Sequence, residues 1–257
     1  MPTWDSQQYL KFADERTQPS VDLVARIPLV APARIVDLGC GPGNSTAVLR
    51  ERWRAAEITG VDSSPDMLAR AAKDYPREKW EQADITSWAP ARPFDLVFSN
   101  ATLHWVPAHD TVFPALFGQV NPGGVLAVQM PHNQSSPSHA PMREIAASGP
   151  WAEKLRAARE INVVHGPGYY YDLLAPLAAQ LFIWETDYIH VMADVPAILE
   201  WVRGTGLRPF LDALSPDEQA AFTRLYLARL RENYPPQPDG RVLFPFRRLF
   251  IVAVKGT

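Results

Sequence analysis

Cysteine is nearly absent from this chain, which has a single one, Cys40, among its 257 residues. One thiol cannot close an internal disulfide, so we expect a protein of a reducing compartment, the cytoplasm. An excess of positive charge is missing too: 25 Lys and Arg stand against 28 Asp and Glu, which gives a net charge of −3. This balance argues against nucleic acid as a partner.

Two further absences narrow the class of protein. The sequence has no apolar run of about 18 residues and no basic segment followed by an apolar one, so neither a membrane span nor a signal segment is predicted. No Cys/His cluster has the spacing of metal ligands, and no metal is predicted. The hydrophobic content of 47% over 257 residues suffices for a full core. We therefore predict one elaborated domain over residues 1–257, with the oligomeric state left open.

A glycine-rich turn follows the first strongly apolar segment. Residues 35–38 are typical of a buried strand, and Gly39, Gly41 and Gly43 come directly after it. The Asn-Ser pair at residues 44–45 is expected to cap a helix that begins at residue 46. A strand, a glycine turn and a helix N-terminus together predict a nucleotide-type site, because the backbone can approach a ligand where no Cβ intervenes. The alternative is a purely structural strand–helix turn that binds no ligand.

An acid, Asp37, precedes the first glycine by two residues. A dinucleotide fingerprint has the spacing Gly-x-Gly-x-x-Gly, with a pyrophosphate at the helix N-terminus. Here the spacing is Gly-x-Gly-x-Gly. An acid at the end of the strand suits a cationic group better than two phosphates. S-Adenosylmethionine, which carries an ammonium and a sulfonium but no phosphate, fits that pattern.

Polar residues end the next three predicted strands as well. Asp62 ends residues 57–62, where an acid can accept both hydroxyls of an adenosine ribose. Asp84 ends residues 79–84 and could accept a hydrogen bond from an adenine amino group, and Asn100 ends residues 94–100. Each acid alone is more often a helix cap or a solvated loop residue. Polar groups at four successive strand ends fit the rule that open α/β sheets bind ligands at that edge.

Four segments together resemble the successive motifs of class I S-adenosylmethionine-dependent methyltransferases. They are Asp37-Leu-Gly-Cys-Gly-Pro-Gly-Asn44, Gly60-Val-Asp-Ser-Ser-Pro-Asp-Met-Leu68, Gln82-Ala-Asp-Ile85 and Asp95-Leu-Val-Phe-Ser-Asn-Ala101. The likeness covers about residues 30–130 and is specific for the cofactor. It implies that the cofactor-binding residues are Asp37, Gly39, Gly41, Asn44, Asp62, Ser63, Met67, Asp84, Ile85 and Asn100.

Other segments are similar to the trans-aconitate methyltransferase family, which extends the resemblance over nearly the whole chain. They are Tyr9-Leu-Lys-Phe-Ala-Asp-Glu-Arg16, Leu126-Ala-Val-Gln-Met-Pro131, Tyr170-Tyr-Asp172, Trp201-Val202, Thr205-Gly-Leu-Arg-Pro209 and Arg248-Leu-Phe-Ile-Val-Ala253. This resemblance implies a methyl ester made on a small polycarboxylic acid, and S-adenosylhomocysteine as the second product. It further implies that Tyr9 and Arg16 fold over the cofactor, with Arg16 pairing its carboxylate; a surface ion pair is the alternative for Arg16.

The later part of the chain predicts three more strands separated by long connections. The fifth strand spans residues 125–130, the sixth 181–191 and the last 243–255, with its clearest pattern from residue 248. The connections at 132–178 and 194–240 are too long to lack structure, so they are predicted to contain helices that form a cap over the site. The fold class predicted is α/β: a Rossmann-like, seven-stranded, mostly parallel sheet with helices on both faces and a helical cap.

Candidate substrate-binding residues come from the cap, from the last strand and from the region after the fourth strand. Arg208 stands at a constrained Gly-Leu-Arg-Pro junction and could bind a carboxylate through two hydrogen bonds, although an ordinary solvated arginine is the common alternative. A strand-edge charge is as common an explanation for Arg248. Packing is an equal alternative for the aromatic candidates. The candidates are Trp105, Tyr170, Tyr171, Arg208 and Arg248.

The chemistry of a carboxylate acceptor requires no catalytic residue, because a carboxylic acid with a pKa near ~4 is already ionised at pH 7. His104 would act as a general base only if the acceptor were a hydroxyl or an amine. Two alternatives stay open. The first is a methyltransferase for another small molecule; the second is a non-catalytic cofactor-binding protein or a nicotinamide oxidoreductase, and the glycine spacing argues against the nicotinamide enzyme.

Overall fold

Strands and helices alternate through the first half of the computed structural model, which describes residues 13–160 and 164–257. The elements are α1 (Ala13–Ala25), β1 (Arg34–Leu38), α2 (Asn44–Arg52), β2 (Glu57–Asp62), α3 (Pro65–Asp74), β3 (Lys79–Gln82), β4 (Phe94–Asn100), a 3-10 helix (Leu103–Trp105), α4 (His109–Gly118) and β5 (Val120–Pro131). Strands joined through helices in this way favour parallel pairing, because a parallel neighbour requires a crossover connection.

Helices predominate in the second half, between two long strands. The elements are α5 (Ala140–Ser148), α6 (Arg156–Glu160), α7 (Pro167–Leu174), β6 (Gln180–Met192), α8 (Val195–Arg203), α9 (Arg208–Asp212), α10 (Pro216–Asn233) and β7 (Val242–Val254). Both connections predicted to contain helices therefore do so. None of the helices within residues 13–160 and 164–257 combines the length and apolarity needed to cross a membrane.

One seven-stranded sheet has the order β3-β2-β1-β4-β5-β7-β6. The pairs β1–β2, β2–β3, β1–β4 and β4–β5 are parallel, and β7 runs antiparallel to β5. The central strands β1 and β4 are apolar and buried along nearly their whole length, as expected where a parallel sheet is covered on both faces. The predicted seven-stranded, mostly parallel α/β sheet is confirmed.

Two local predictions are wrong. Helix α2 begins at Asn44 rather than at residue 46, and its N-cap is Gly43, with φ of 95° and no side-chain cap. The Ser45 hydroxyl donates to Asp37, and no side chain accepts a capping hydrogen bond from the backbone N–H groups of the first turn. Strand β3 ends at Gln82, two residues before Asp84, whose carboxylate accepts hydrogen bonds from the backbone and hydroxyl of Thr86 in a turn. At Asp84, these local side-chain bonds favour a turn over a continued strand.

The described residues form two compact units, each with its own apolar core. The sheet unit comprises residues 13–131, 164–186 and 248–257, and its core includes Leu38, Val97, Phe113, Leu126 and Ile251. The helical unit comprises residues 132–160 and 187–247, and its core includes Trp151, Trp201, Phe222, Tyr226 and Phe244. The prediction that residues 1–257 act as one domain, with the helices as a cap, stays a prediction.

Candidate active site

The direction in which successive strands are added to the sheet reverses between β1 and β4. Strands β2 and β3 follow on one side of β1, and β4 pairs with its other side. In open α/β sheets the ligand crevice lies at the carboxyl ends of the strands beside this reversal. The loops after β1 and β4 touch there: the Thr102 hydroxyl donates to the carbonyl oxygen of Gly39 over 3.0 Å. A Cβ added at Gly39 would lie only 2.0 Å from the Thr102 side chain, so this contact requires glycine.

The three glycines of the turn have different surroundings. Gly39, Gly41 and Gly43 all have positive φ, of 70°, 54° and 95°. A Cβ at Gly43 would meet the Tyr75 ring at 2.7 Å, whereas a Cβ at Gly41 would have nothing within 4 Å. Gly39 and Gly43 are therefore required for packing. Gly41 borders open space, where the backbone can approach a ligand.

Asp62, at the end of β2, holds this turn in place. One carboxylate oxygen accepts from the backbone N–H of Gly41 over 2.9 Å. The other accepts from the N–H of Ser64, the N-cap of α3, over 2.9 Å. Each carboxylate oxygen has two lone pairs, so Asp62 retains capacity to accept further hydrogen bonds from a ligand.

Asp37 lies fully buried beside the same turn. Its Oδ2 accepts from the hydroxyls of Ser45 and Thr46, over 2.6 and 2.7 Å. Its Oδ1 is buried and has no hydrogen-bond partner among the described residues. Burial raises the pKa of Asp37 to about 6, while the Ser45 and Thr46 hydroxyls lower it and nearby Asp62 raises it.

The electrostatic character of the turn follows from these two acids. Asp62 is close enough for its charge to raise the pKa of Asp37. Two carboxylates facing one glycine turn would repel a pyrophosphate and attract a cation. Burial, followed by the charges of Asp37 and Asp62, raises the pKa of the Cys40 thiol, so this thiol stays protonated and is no nucleophile.

The remaining cofactor candidates lie near the same strand ends, in different surroundings. Asp84 is exposed, and its bonds to Thr86 hold its pKa below the usual value. Met67 is buried, whereas Ser63 is exposed, and Asn44 and Ile85 are half-buried. Asn100 has a buried Oδ1 with no hydrogen-bond partner in the described part of the chain. Tyr9 and the side chain of Arg16 lie outside the described residues.

Arg248 and Gln129 form a buried polar pair on neighbouring strands of the sheet unit. Arg248 is 4% exposed, and its Nη1 donates to Oε1 of Gln129 over 3.4 Å. Gln129 is fully buried and is the register partner of Asn100 across β4 and β5. The sequence did contain a signal for Gln129, because it is the one polar residue of the predicted strand at 125–130.

The aromatic candidates separate into core and surface. Tyr170 is fully buried, and its hydroxyl lies 2.8 Å from Nδ1 of His109. Tyr171 is 57% exposed. Trp105 is half-buried in the 3-10 helix after β4, with its ring centroid 4.9 Å from that of His104. These surroundings favour packing for Tyr170, one of the two roles left open by the sequence.

Arg208 belongs to the helical unit, where it is the first residue of α9. Its side chain is 19% exposed, and its Nε lies 3.4 Å from an oxygen of Asp212, four residues later. The structure thus brings Asp37, Gly39, Gly41 and Asp62 together in the sheet unit, whereas Arg208 belongs to the helical unit.

Comparisons with known proteins match this geometry. A family model described as a methyltransferase domain matches residues 35–124, which include the glycine turn. A trans-aconitate 2-methyltransferase from Azoarcus sp. strain BH72 is 57% identical over 255 residues, covering 99% of this chain and 100% of that protein. The protein of the same name from Rhodopseudomonas palustris strain BisB18 is 52% identical over 256 residues, with 99% and 100% covered.

A solved structure gives the same fold at low identity. Phosphoethanolamine N-methyltransferase 2 from Haemonchus contortus, in complex with S-adenosyl-L-methionine, is 17% identical, with a TM-score of 0.57. The match covers 97% of this chain and 57% of that one. With full-length relatives above half identity, the chain belongs to the trans-aconitate 2-methyltransferase family.

Proposed function

We propose that this chain transfers the methyl group of S-adenosylmethionine to a carboxylate of trans-aconitate. The observation that carries the proposal is the likeness, over the full length of both chains, to relatives named for that activity. We further propose a cytoplasmic enzyme without a nucleic-acid partner, which the single cysteine and the net charge of −3 support.

The residues present fit this cofactor. Gly41 borders open space at the glycine turn, and Asp37 and Asp62 supply negative charge beside it. When bound, S-adenosylmethionine supplies an electrophilic methyl group on a positive sulfur, which a carboxylate oxygen attacks to give the methyl ester and S-adenosylhomocysteine. Asp62 would accept hydrogen bonds from the ribose hydroxyls and Asp84 from the adenine amino group. The family resemblance assigns Asn44, Ser63, Met67, Ile85 and Asn100 to the same site, together with Tyr9 and Arg16.

A tricarboxylate brings three negative charges that must be paired where water is excluded. Arg248 supports the proposal, because it places a guanidinium, 4% exposed, beside the buried amide of Gln129 in the sheet unit. A guanidinium can bind a carboxylate through two parallel hydrogen bonds. We therefore propose Arg248 and Arg208 as carboxylate-binding residues, with Trp105 and Tyr171 as further contacts.

Catalysis by these residues would come from alignment and from exclusion of water. A carboxylate is ionised at neutral pH and requires no base. Proximity and orientation can supply about 7–11 kcal/mol of the barrier in favourable cases. No residue is therefore assigned to proton transfer.

Transfer of a labelled methyl group tests the acceptor directly. The purified protein is incubated with methyl-labelled S-adenosylmethionine and, separately, with trans-aconitate, cis-aconitate, a saturated tricarboxylate, a monocarboxylic acid, a phenol and an amine. We expect base-labile label with trans-aconitate and its close analogues, and a methyl ester by mass spectrometry. Label on the phenol or the amine instead, or no transfer to any acid, would contradict the proposal.

The pH dependence of the rate separates a carboxylate acceptor from one that requires a base. We expect a flat kcat/KM for trans-aconitate from about pH 7 to 9, above the titration of Asp37, and the same profile shape in His104→Ala. A rise near pH 6.5 that disappears in the variant would instead identify His104 as a general base.

A further inference from the structure

A buried histidine, His109, makes two hydrogen bonds that determine its protonation. It is 3% exposed, its Nε2 lies 2.9 Å from the carbonyl oxygen of Leu103, and its Nδ1 lies 2.8 Å from the Tyr170 hydroxyl. A carbonyl only accepts, so Nε2 carries the proton and Nδ1 accepts from the tyrosine. The tyrosine oxygen accepts in turn from the backbone N–H of His165 over 3.3 Å.

Through the Leu103 carbonyl, His109 is bonded to the loop that follows β4. Leu103 opens the 3-10 helix that presents His104 and Trp105, directly beyond the strand reversal. Within that turn, the N–H of Trp105 donates to Thr102 and the N–H of Val106 donates to Leu103, over 2.9 and 3.0 Å. The carbonyl of Leu103 therefore receives bonds from both the turn and the imidazole, which ties the loop to α4.

Backbone strain marks the two ends of the same loop. Ala101 and Ala108 are the non-glycine residues with positive φ in the described part of the chain, at 53° and 57°. Such a conformation persists only where the surrounding structure enforces it, and it is concentrated at functional sites. Burial also lowers the pKa of His109, so the imidazole is neutral at pH 7 and its donor and acceptor sides stay fixed.

We propose that His109 and Tyr170 form a buried clamp that holds residues 101–108 in the position required for methyl transfer. Both are positioning residues: they act through the Leu103 carbonyl and do not contact the substrate. Tyr170, a substrate-contact candidate from the sequence, would thus contribute through His109. The inference rests on the proposed methyl transfer for its kinetic consequence, but not for its structural one.

The variant that tests the clamp is Tyr170→Phe, which removes one hydroxyl and keeps the ring in the core. Because a displacement of about 1 Å can cost up to a hundredfold in rate, we expect kcat to fall about tenfold. Because the loop that the clamp holds carries Trp105, a proposed substrate contact, the KM for trans-aconitate should rise as well, so that kcat/KM falls more than kcat. His109→Gln, whose amide can still donate to Leu103, should retain more of kcat than His109→Ala.

Tyr226→Phe is the matched control. Tyr226 is also fully buried, and its hydroxyl also donates one hydrogen bond, to the carbonyl oxygen of Ser138 over 2.8 Å, but it belongs to the helical unit. The Tyr226→Phe variant should have a lower melting temperature, as Tyr170→Phe should, but a wild-type kcat. Equal losses of melting temperature in the two variants, with wild-type kcat in both, would overturn the clamp.

Amide hydrogen exchange gives a readout that does not depend on the substrate. The N–H groups of Trp105 and Val106 should exchange faster in Tyr170→Phe than in wild type. In Tyr226→Phe their exchange rates should equal those of the wild type. If the wild type does not methylate trans-aconitate, only the proposed function fails, and this measurement still decides the clamp. Unchanged exchange at both amides in Tyr170→Phe would refute it.

Discussion

Asp37 illustrates how burial alters a single carboxylate. Its position before the glycine turn was evident from the sequence, but its pKa of about 6 results from complete burial and from nearby Asp62. The hydroxyls of Ser45 and Thr46 offset part of that effect. The protein tolerates this costly group at the turn, which is typical of a functional site.

The raised pKa of Asp37 predicts a pH-dependent stability. Between about pH 4 and 6 the folded carboxyl keeps a proton that the unfolded chain has lost, so its stabilising contribution is present below that window and is lost as pH rises through it. The total is on the order of 3 kcal/mol. Asp37→Asn removes the effect, so the stability of the variant relative to wild type should rise between about pH 4 and 6 and level off above that, measured by urea unfolding.

Asp95 provides a control of the opposite sign. Burial raises its pKa, but hydrogen bonds from the Asn121 side chain and from the N–H groups of Ala33 and Arg34 outweigh that and lower it. Asp95→Asn should therefore lose stability relative to wild type as pH rises towards and past 3.8, the ordinary pKa of the carboxyl. Parallel pH profiles for the Asp37 and Asp95 variants would show that Asp37 does not have a raised pKa.

Arg208 predicts a change in substrate affinity. A hydrogen bond to a charged group contributes about 1.5–3 kcal/mol, so Arg208→Ala should raise the KM for trans-aconitate by roughly tenfold to a hundredfold. Cofactor affinity should stay constant. Arg208→Lys should recover only part of the loss, because an ammonium lacks the planar two-pronged geometry.

Arg203→Ala is the matched control for Arg208. Arg203 is an exposed arginine of the same unit, paired within its helix to Glu200 over 3.5 Å, much as Arg208 pairs with Asp212. Its removal should leave KM unchanged. A wild-type KM in Arg208→Ala would make Arg208 a structural residue, and a tricarboxylate pocket would then have to be sought elsewhere.

At the scale of the element, helix starts show where local signals suffice and where they fail. Ser64 and Ser215 cap α3 and α10, each with proline in the first turn, as their local sequences predict. Helix α2 does not follow its Asn-Ser signal, because the helix begins at Asn44 with Gly43 as its N-cap and Ser45 lies inside the first turn. There the Ser45 hydroxyl donates to Asp37, eight residues earlier in the chain, which is a contact that the local sequence does not predict.

The glycine turn as an element predicts a selective effect on cofactor binding. Gly41→Ala introduces a methyl group into open space at φ of 54°, so the unliganded fold should lose only about 1–2 kcal/mol from backbone strain. The methyl would occupy the space next to the ligand, and we expect at least a tenfold loss of S-adenosylmethionine affinity by calorimetry.

Gly240→Ala separates strain from ligand exclusion. Gly240 also has positive φ, of 84°, and a Cβ added there would likewise have nothing within 4 Å, but it lies in a turn of the helical unit. The substitution should cost similar stability and leave the affinity unchanged. Equal affinity in both variants would remove Gly41 from the cofactor site.

At the scale of the whole molecule, the presence of two cores and one proposed cofactor site predicts that S-adenosylhomocysteine protects the two units unequally from hydrogen exchange. The candidate cofactor residues among the described positions all belong to the sheet unit. At a concentration about 100-fold above Kd, S-adenosylhomocysteine should stabilise the folded protein by about 2.7 kcal/mol. In hydrogen exchange, new protection should concentrate in residues 39–44, 62–67, 84–85 and 100–105.

Helix α10 serves as the internal reference for that experiment. It lies in the core of the helical unit, and we expect its exchange to change little relative to the strand-end loops. Protection concentrated in α10, with none at residues 39–44, would place the cofactor outside the sheet unit.

The sequence by itself determined the elements and the class of chemistry. Seven strands, the glycine turn, Asp62 at the end of its strand and the starts of α3 and α10 were predictable, because apolar periodicity and turn residues act between near neighbours in the chain. The family motifs added the cofactor and the substrate class. Even Gln129 could have been found, as a polar residue inside an apolar strand.

Only the tertiary structure decided which side chains meet and how deeply they are buried. Arg248 contacts Gln129 across 119 residues of chain, and Tyr170 contacts His109 across 61. The strand order, which places β1 beside β4, brings Thr102 against Gly39. Such contacts depend on packing between distant segments, and the free energy of a buried charge depends on everything around it, so neither is encoded in any local pattern.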